Sequence, residues 1–179
     1  MELGFVTNNI NFKAKKLPIK VDEKLLRGEA VTSPLKLYRL KQQGVTKIID
    51  LRNSAFVERP LEKFFCKLFG IKYENHKYPF RLKTLPQSDF FESVNDSIVK
   101  NQGKTYIHCQ YGKRRTGICV AIYEKLHTDK KSDEIIDNMV HIGFKEVEQK
   151  LDTKKARHVR SMLLDLLKKY FPNQSGRFS

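Results

Sequence analysis

The stretch from Tyr106 to Gly117, YIHCQYGKRRTG, holds the residues whose types and spacing most clearly suggest chemistry. It follows a short apolar run and precedes small and apolar residues, which predicts a loop between a strand and a helix. Such a loop turns its backbone N–H groups toward one space at the positive end of the helix, where an anion binds. The dipole and nearby cations would lower the pKa of Cys109 from about 8.5 toward about 3.5–7.5. With Arg115 holding phosphoryl oxygens, the loop predicts nucleophilic phosphoryl transfer.

The pattern H-C-x(5)-R-T at 108–116 resembles the signature loop of the cysteine-dependent protein tyrosine and dual-specificity phosphatases. The resemblance implies that Cys109 is the nucleophile that forms a phosphocysteine intermediate. It also implies that Arg115 binds the phosphate in the transition state and that the Thr116 hydroxyl assists hydrolysis of the intermediate. The implied substrate-binding set is the ordering histidine and the cradle residues, namely His108, Gln110, Tyr111, Gly112, Lys113 and Arg114. A buried core cysteine beside a surface arginine is the disfavoured alternative, since the specified positions of the pattern seldom coincide by chance.

The resemblance extends over residues 25–145, where the sequence is similar to the compact atypical dual-specificity phosphatases. That group includes bacterial members and the plant and fungal enzymes that act on inositol pyrophosphates. The matching segments outside the loop are 27–28, 44–52, 70–73 and 79–80. Asp50 and Arg52 are expected to brace the loop from the neighbouring strand. An ion pair at the surface end of that strand is the alternative interpretation.

The general acid is the point at which the sequence departs from this family pattern. Cysteine phosphatases usually protonate the leaving oxygen with an aspartate on a loop before the cysteine, yet the segment 78–86, YPFRLKTLP, contains no carboxylate. Asp89, twenty residues before Cys109, is the nearest candidate for that role. Because Asp89 follows Ser88 at a predicted helix start, it could instead be a first-turn carboxylate that complements the helix dipole.

The remaining cysteines and histidines do not suggest a metal or a disulfide framework. Three cysteines without a C-x-x-C pair argue against a disulfide scaffold and a cysteine-based zinc site. The histidines outside the loop lack ligand spacing, so we expect no metal and no cofactor. Cys66 is expected in the core, and Cys119 is expected either to be buried or to protect Cys109 as a resolving thiol. A nucleotide-binding P-loop at 103–105 is excluded because Ile98 stands where its first glycine should be.

The elements that must position the loop alternate between strands and helices. The sequence predicts helices after Ser33-Pro34, at 60–69, 89–99, 116–126, 132–142 and 154–170, and strands at 45–51, 71–73 and 105–107. This order predicts a single α/β domain with a mostly parallel central sheet flanked by helices. Residues 1–24 are expected to form an N-terminal arm or edge strand, 25–171 the phosphatase domain and 172–179 a frayed tail.

Composition limits the partners that the domain can have. The chain has 179 residues, of which 40% are hydrophobic and 31% are charged, so it can bury one sizeable core. Neither a signal peptide nor an apolar stretch of about 20 residues is present, which leads us to expect a cytoplasmic protein. The net charge of +15 favours a negatively charged partner. A phosphoprotein and a densely phosphorylated molecule, such as an inositol (pyro)phosphate or phosphoinositide, both stay open as substrates.

The sequence is also compatible with two other functions, phosphate binding without efficient catalysis and nucleic-acid binding, and with contact to a membrane. A catalytically weak pseudophosphatase would bind phosphate with the same loop. A nucleic-acid-binding protein would use the basic charge, but it is disfavoured because no aromatic residues interleave with the basic ones on the C-terminal helix. The apolar stripe of that helix is expected to pack on the sheet, with contact to an anionic membrane as the alternative.

Overall fold

The computed structural model describes residues 18–53, 58–79, 88–144 and 153–169. The strands of this part are β1 (Ile19–Lys20), β2 (Leu25–Glu29), β3 (Val45–Asp50), β4 (Lys72–Asn75) and β5 (Lys104–Cys109). The helices are α1 (Pro34–Gln42), α2 (Glu58–Leu68), α3 (Ser88–Val99), α4 (Arg114–His127), α5 (Ser132–His141) and α6 (Lys154–Lys169). The predicted tail at 172–179 lies outside the described residues, and the predicted domain boundaries stay predictions.

The strands form one sheet in the order β1-β2-β5-β3-β4. All neighbouring pairs are parallel except β1 with β2, which is antiparallel. Strand β5, the last of the described strands, therefore occupies the centre of the sheet and is hydrogen-bonded on both sides. This arrangement confirms the predicted α/β fold with a mostly parallel sheet.

Strand β2 was not among the strands predicted from the sequence. Its five residues, LLRGE, carry a charged Arg27 and a Gly28 in the middle, and both weaken a strand pattern. The structure buries Leu25, Leu26 and Arg27 alike, because β2 lies between β1 and the central strand. Tertiary pairing thus overrides the weak local preference.

Helices cover both faces of the sheet with separate apolar cores. One core joins the sheet to α3, α4, α5 and α6, and the other joins it to α1 and α2. The apolar stripe of α6 belongs to the first core, where Val159, Leu163 and Leu167 are buried. The structure therefore uses this stripe for packing inside the domain, so the stripe is not available to a membrane. No helix in the described ranges is both long and apolar enough to cross a bilayer.

Two element boundaries differ from the predicted ones next to the site. Strand β5 continues to Cys109 instead of ending at Ile107, and α4 begins at Arg114 instead of Thr116. The turn between them is only residues 110–113. The early helix start has no sequence signal, because Lys113 at the N-cap provides no side-chain hydrogen bond to the helix. The first N–H groups of α4 are therefore not satisfied by a side-chain cap.

Candidate active site

Cys109 is the last residue of the central strand and lies at the floor of a cavity. The side chain is almost fully buried, and the cavity above it has a volume of about 690 Å³. In the described part of the chain, the cavity is lined by Cys109, Gln110, Tyr111, Lys113, Arg114, Arg115 and Gly143. The structure thus brings together most of the residues that the sequence placed in the site.

The turn after Cys109 depends on close contact between its backbone and β2. Gly112 has a φ of +65°, and a Cβ at this position would lie 2.2 Å from the carbonyl oxygen of Gly28. A Cβ on Gly28 would in turn lie 2.2 Å from the hydroxyl oxygen of Tyr106. The Ala30 N–H also donates to the Gln110 carbonyl over 3.2 Å. Glycine is therefore required at position 112 for the loop to rest on β2, while Gly28 leaves room for the Tyr106 side chain.

The loop makes Cys109 a more acidic thiol than its burial alone would allow. Burial would raise the pKa of Cys109, but hydrogen bonds from the Thr116 hydroxyl and from the backbone N–H groups of Thr116, Tyr111 and Gly112 outweigh that effect. The net result is a pKa below the ordinary thiol value. An acidic thiol under converging N–H groups is the arrangement expected of a nucleophile beside a bound anion.

The other two cysteines, Cys66 and Cys119, lie in environments that make their thiols less acidic. Burial raises the pKa of Cys66 to about 12, and burial also raises the pKa of Cys119. Both side chains are buried in the apolar cores, as the sequence predicted for Cys66. A resolving cysteine reacts as a thiolate, so the environment of Cys119 favours the core interpretation over the protective one.

Thr116 lies directly after the arginine in the first turn of α4. Its side chain is fully buried, and its hydroxyl makes no hydrogen bond of ordinary geometry among the described residues. The hydroxyl lies beside the Cys109 sulfur, where it stabilises the thiolate. A buried donor without another partner costs free energy unless it serves such a charge.

The basic side chains lie around the cavity at different depths. Arg115 is half-buried and donates from Nη1 to the Leu51 carbonyl oxygen over 3.3 Å. The aliphatic stem of Lys113 runs beside Gly143, where an added Cβ would lie 3.2 Å from Lys113 Cε. Arg114 and Tyr111 are exposed at the rim. Gly143, from the connection after α5, was not predicted as part of the site, since only the folded chain brings it there.

Arg27 supports the loop from β2, a role that the sequence analysis did not assign. Its buried guanidinium donates from Nη2 to the carbonyl oxygens of Gly112, over 2.8 Å, and Lys113, over 3.3 Å. Burial lowers the pKa of Arg27 to about 10, while the negative charges of Glu124 and Cys109 oppose that shift. The side chain therefore remains a cation at neutral pH behind the carbonyl side of the loop.

A second group of buried charged side chains lies at the end of β3 and contacts His108 near the end of β5. Arg52 donates from Nε to Asp50 Oδ1 and from Nη2 to Asp50 Oδ2, each over 2.9 Å, and Tyr73 donates to Asp50 over 2.6 Å. Arg52 also bonds Glu62, whose Oε1 lies 2.9 Å from His108 Nε2. The surface ion pair considered for Asp50 and Arg52 is thus wrong, because both side chains are buried.

In this group, positive side chains stabilise the charge of the buried Asp50 carboxylate. Burial would raise the pKa of Asp50, but the hydrogen bonds from Arg52 and the charge of His108 hold it below its usual value. Asp50, Glu62 and His108 bring three potential metal-ligand atoms within 4.8 Å of one another. Arg52 already donates to both carboxylates, so a metal ion here would have to bind beside a buried guanidinium, and the donor set does not fit a metal site. Glu62 could not be recognised from the sequence, because it is one of two glutamates in an amphipathic helix and belongs to no motif.

Asp89 is exposed in the first turn of α3 and accepts a hydrogen bond from the Ser88 hydroxyl over 3.1 Å. It is not among the described residues that line the Cys109 cavity. Most of the preceding loop, residues 80–87, lies outside the described part of the chain. The general-acid role of Asp89 therefore stays a prediction.

Comparison with known families finds one matching model. It is described as PTP-NADK, a DSP-PTPase phosphatase fused to NAD+ kinase, and it matches residues 6–161. Comparison with the curated proteins finds no significant match.

Several solved structures share this fold at low sequence identity. A DUF442 protein from Shewanella putrefaciens CN-32 is 18% identical and has a TM-score of 0.60, covering 86% of this chain and 92% of the other. The core catalytic domain of the PP-IP phosphatase SIW14 from S. cerevisiae is 18% identical and has a TM-score of 0.58, covering 84% and 91%. TpbA from P. aeruginosa is 17% identical and has a TM-score of 0.60, covering 85% and 88%. These similarities show a shared fold.

Proposed function

The chain belongs to the DSP-PTPase phosphatase family named for its fusion to NAD+ kinase, and from this premise we propose that it hydrolyses phosphate esters through a phosphocysteine on Cys109. Family membership confirms the resemblance drawn from the motif at 108–116, and it makes the protein a cysteine-based phosphatase. The observation that carries the proposed mechanism is the lowered pKa of Cys109 beneath converging donors. A thiolate at the floor of an anion-binding cavity is an activated nucleophile.

In the first step, the Cys109 thiolate attacks phosphorus as the bond from phosphorus to the leaving oxygen breaks. Arg115 and the loop N–H groups bind the equatorial oxygens, whose charge they stabilise in the transition state. Asp89 is the proposed donor of the proton that the leaving oxygen takes. The products of this step are the free alcohol or phosphate and a phosphocysteine.

In the second step, water attacks the phosphocysteine and the bond between sulfur and phosphorus breaks. Inorganic phosphate leaves, the water gives one proton to the Asp89 carboxylate, which regains the proton it donated in the first step, and Cys109 returns to the thiolate. The buried Thr116 hydroxyl, which lies beside the sulfur, stabilises the charge that develops there. The same contact that lowers the thiol pKa thus makes the sulfur a better leaving group.

For the substrate, we propose a densely phosphorylated small molecule of the inositol (pyro)phosphate type. A cavity of about 690 Å³ is larger than one phosphate needs and falls within the range of small-molecule sites. Lys113, Arg114 and Arg115 all line it, and the packing of Lys113 beside Gly143 directs one cation along the rim. The similar S. cerevisiae enzyme, a PP-IP phosphatase, supports this choice.

A substrate panel tests the proposal. The rates on p-nitrophenyl phosphate, a phosphotyrosine peptide and an inositol pyrophosphate are compared for wild type, Lys113→Gln and the exposed control Lys168→Gln. Because a charge-assisted contact contributes about 1.5–3 kcal/mol, Lys113→Gln should lower kcat/KM for the inositol pyrophosphate about tenfold or more. The loss on the phosphopeptide should be smaller. A preference for the phosphopeptide that Lys113→Gln leaves intact would point to a phosphoprotein substrate instead.

A further inference from the structure

Large apolar side chains are exposed together on α1 and α2, away from the catalytic cavity. Phe64 and Leu68 are 61% and 67% exposed. The exposed apolar residues on these two helices are Leu35, Tyr38, Leu61, Phe64 and Leu68, and together they are called the α1–α2 face. Single exposed apolar residues are normal, but a group of five on adjacent helices marks an interaction surface.

The spacing and packing of these residues make the face continuous. Leu61, Phe64 and Leu68 follow one another at intervals of three and four residues, which places them on one side of α2. The inner side of α2 holds the buried Glu62 and Cys66. Helices α1 and α2 pack side by side, with the ring centroid of Tyr38 6.4 Å from that of Phe69. The outward-facing apolar side chains of α2 therefore do not take part in packing the domain core.

The exposed charges that the structure describes on the same two helices are all positive. The exposed ionic side chains that the structure describes there are Arg39, Lys41, Lys63 and Lys67. None of the four pairs with a carboxylate within the described ranges. Uncompensated cations beside exposed leucine and phenylalanine side chains match the composition of helices that bind at a lipid–water interface. Two copies of the face would instead repel each other.

We propose that the α1–α2 face docks the protein on an anionic lipid bilayer. The apolar side chains enter the interfacial region, and the four cations contact acidic headgroups. Helices α1 and α2 follow β2 and β3, which are parallel to β5, so Leu35 and Leu61 lie in the first turns at the edge where β5 presents Cys109. The α1–α2 face thus begins at this edge and extends along α2 through Phe64 to Leu68 at the other end of the helix.

Vesicle co-sedimentation of the full chain tests this proposal with two pairs of substitutions. We expect wild type to bind vesicles of phosphatidylcholine with phosphatidylserine and not vesicles of phosphatidylcholine alone. Phe64→Ser with Leu68→Ser should weaken binding about tenfold or more, because the apolar area that enters the bilayer is lost. Lys63→Gln with Lys67→Gln should also weaken it about tenfold or more, since each cation near an anionic surface adds binding free energy.

Matched controls separate docking from a general effect of surface changes. Val99→Ser on α3 removes an exposed apolar side chain elsewhere, and Lys168→Gln with Lys169→Gln removes two exposed charges from α6. Both controls should bind like wild type, and all variants should keep the wild-type rate on p-nitrophenyl phosphate. Raised salt should weaken wild-type binding.

Three results would overturn the proposal. The first is an absence of wild-type binding to the phosphatidylserine vesicles. The second is binding that the α2 substitutions reduce no more than the α6 substitutions do. The third is a change in oligomeric state, measured by light scattering, when Phe64 and Leu68 are replaced, which would assign the face to a second copy of the chain.

Discussion

The Arg27 guanidinium donates a hydrogen bond to the Gly112 carbonyl oxygen over 2.8 Å, from strand β2 to the loop above it. A loop whose N–H groups converge on a phosphate must turn carbonyl groups outward, and each buried carbonyl needs a donor. Arg27 supplies that donor for Gly112 and Lys113. The cation thereby fixes the orientation of the N–H groups that act on Cys109.

Arg27→Met should therefore impair the thiolate as well as the fold. Loss of a cation behind the sulfur should raise the pKa of Cys109 by about one unit. The pH midpoint of Cys109 alkylation by iodoacetamide would then move upward, with kcat falling more than KM rises. Arg27→Lys should recover part of the shift, because it keeps the charge without the planar fork. The exposed control Arg39→Met should leave the pH midpoint of alkylation unchanged. An unchanged midpoint in Arg27→Met would show that Arg27 supports the fold without affecting the Cys109 thiolate.

Thr116→Val should raise the pKa of Cys109, because it removes a hydroxyl that stabilises the thiolate. A hydrogen bond to a charged group contributes about 1.5–3 kcal/mol, which corresponds to about one to two pH units. The acid limb of the kcat/KM profile should move upward by this amount. Thr116→Ser retains the hydroxyl and should behave like wild type. Identical profiles for the valine and serine variants would contradict the role given to the hydroxyl.

Asp50→Asn should destabilise the fold, because it leaves the buried Arg52 with one carboxylate partner fewer. Breaking a buried ion pair costs about 3–5 kcal/mol, and urea unfolding at pH 7 measures this loss. The pKa of Asp50 is lowered in the folded state, so its contribution is complete above the ordinary value of about 3.9 and disappears as the pH falls through the folded value. Below that pH, wild type and the variant should converge in stability. A constant difference down to pH 2 would contradict this account.

The general-acid assignment of Asp89 predicts a dependence on the leaving group. Asp89→Asn should slow hydrolysis of an alkyl phosphate far more than hydrolysis of p-nitrophenyl phosphate, since a weakly basic leaving oxygen needs little protonation. It should also flatten the basic limb of the pH–rate profile. Small and equal effects on both substrates would assign Asp89 only to the first turn of α3, where it is exposed.

Several features of the fold and of the site were predictable from local sequence. The motif at 108–116 predicted the strand, the turn and the helix, because apolar periodicity and chemistry coincide there. Arg27, Glu62 and Gly143 were not predictable as parts of the site or its support. Each belongs to an element distant in the sequence, and a single charged residue or glycine carries no pattern. The pairing of β2 with β5 brings Arg27 to the loop, α2 brings Glu62 to Arg52 and His108, and the packing of α5 on α4 brings Gly143 to the cavity.

Trapping of the phosphorylated enzyme tests the central claim most directly. The enzyme is quenched with acid during turnover of p-nitrophenyl phosphate, digested and examined by mass spectrometry. The mechanism predicts one phosphoryl group on the peptide that contains Cys109, and neither this label nor turnover in Cys109→Ser, because a serine hydroxyl is essentially un-ionised at pH 7. Turnover without a label on Cys109, or a serine variant that retains a tenth of the wild-type rate, would contradict the claim.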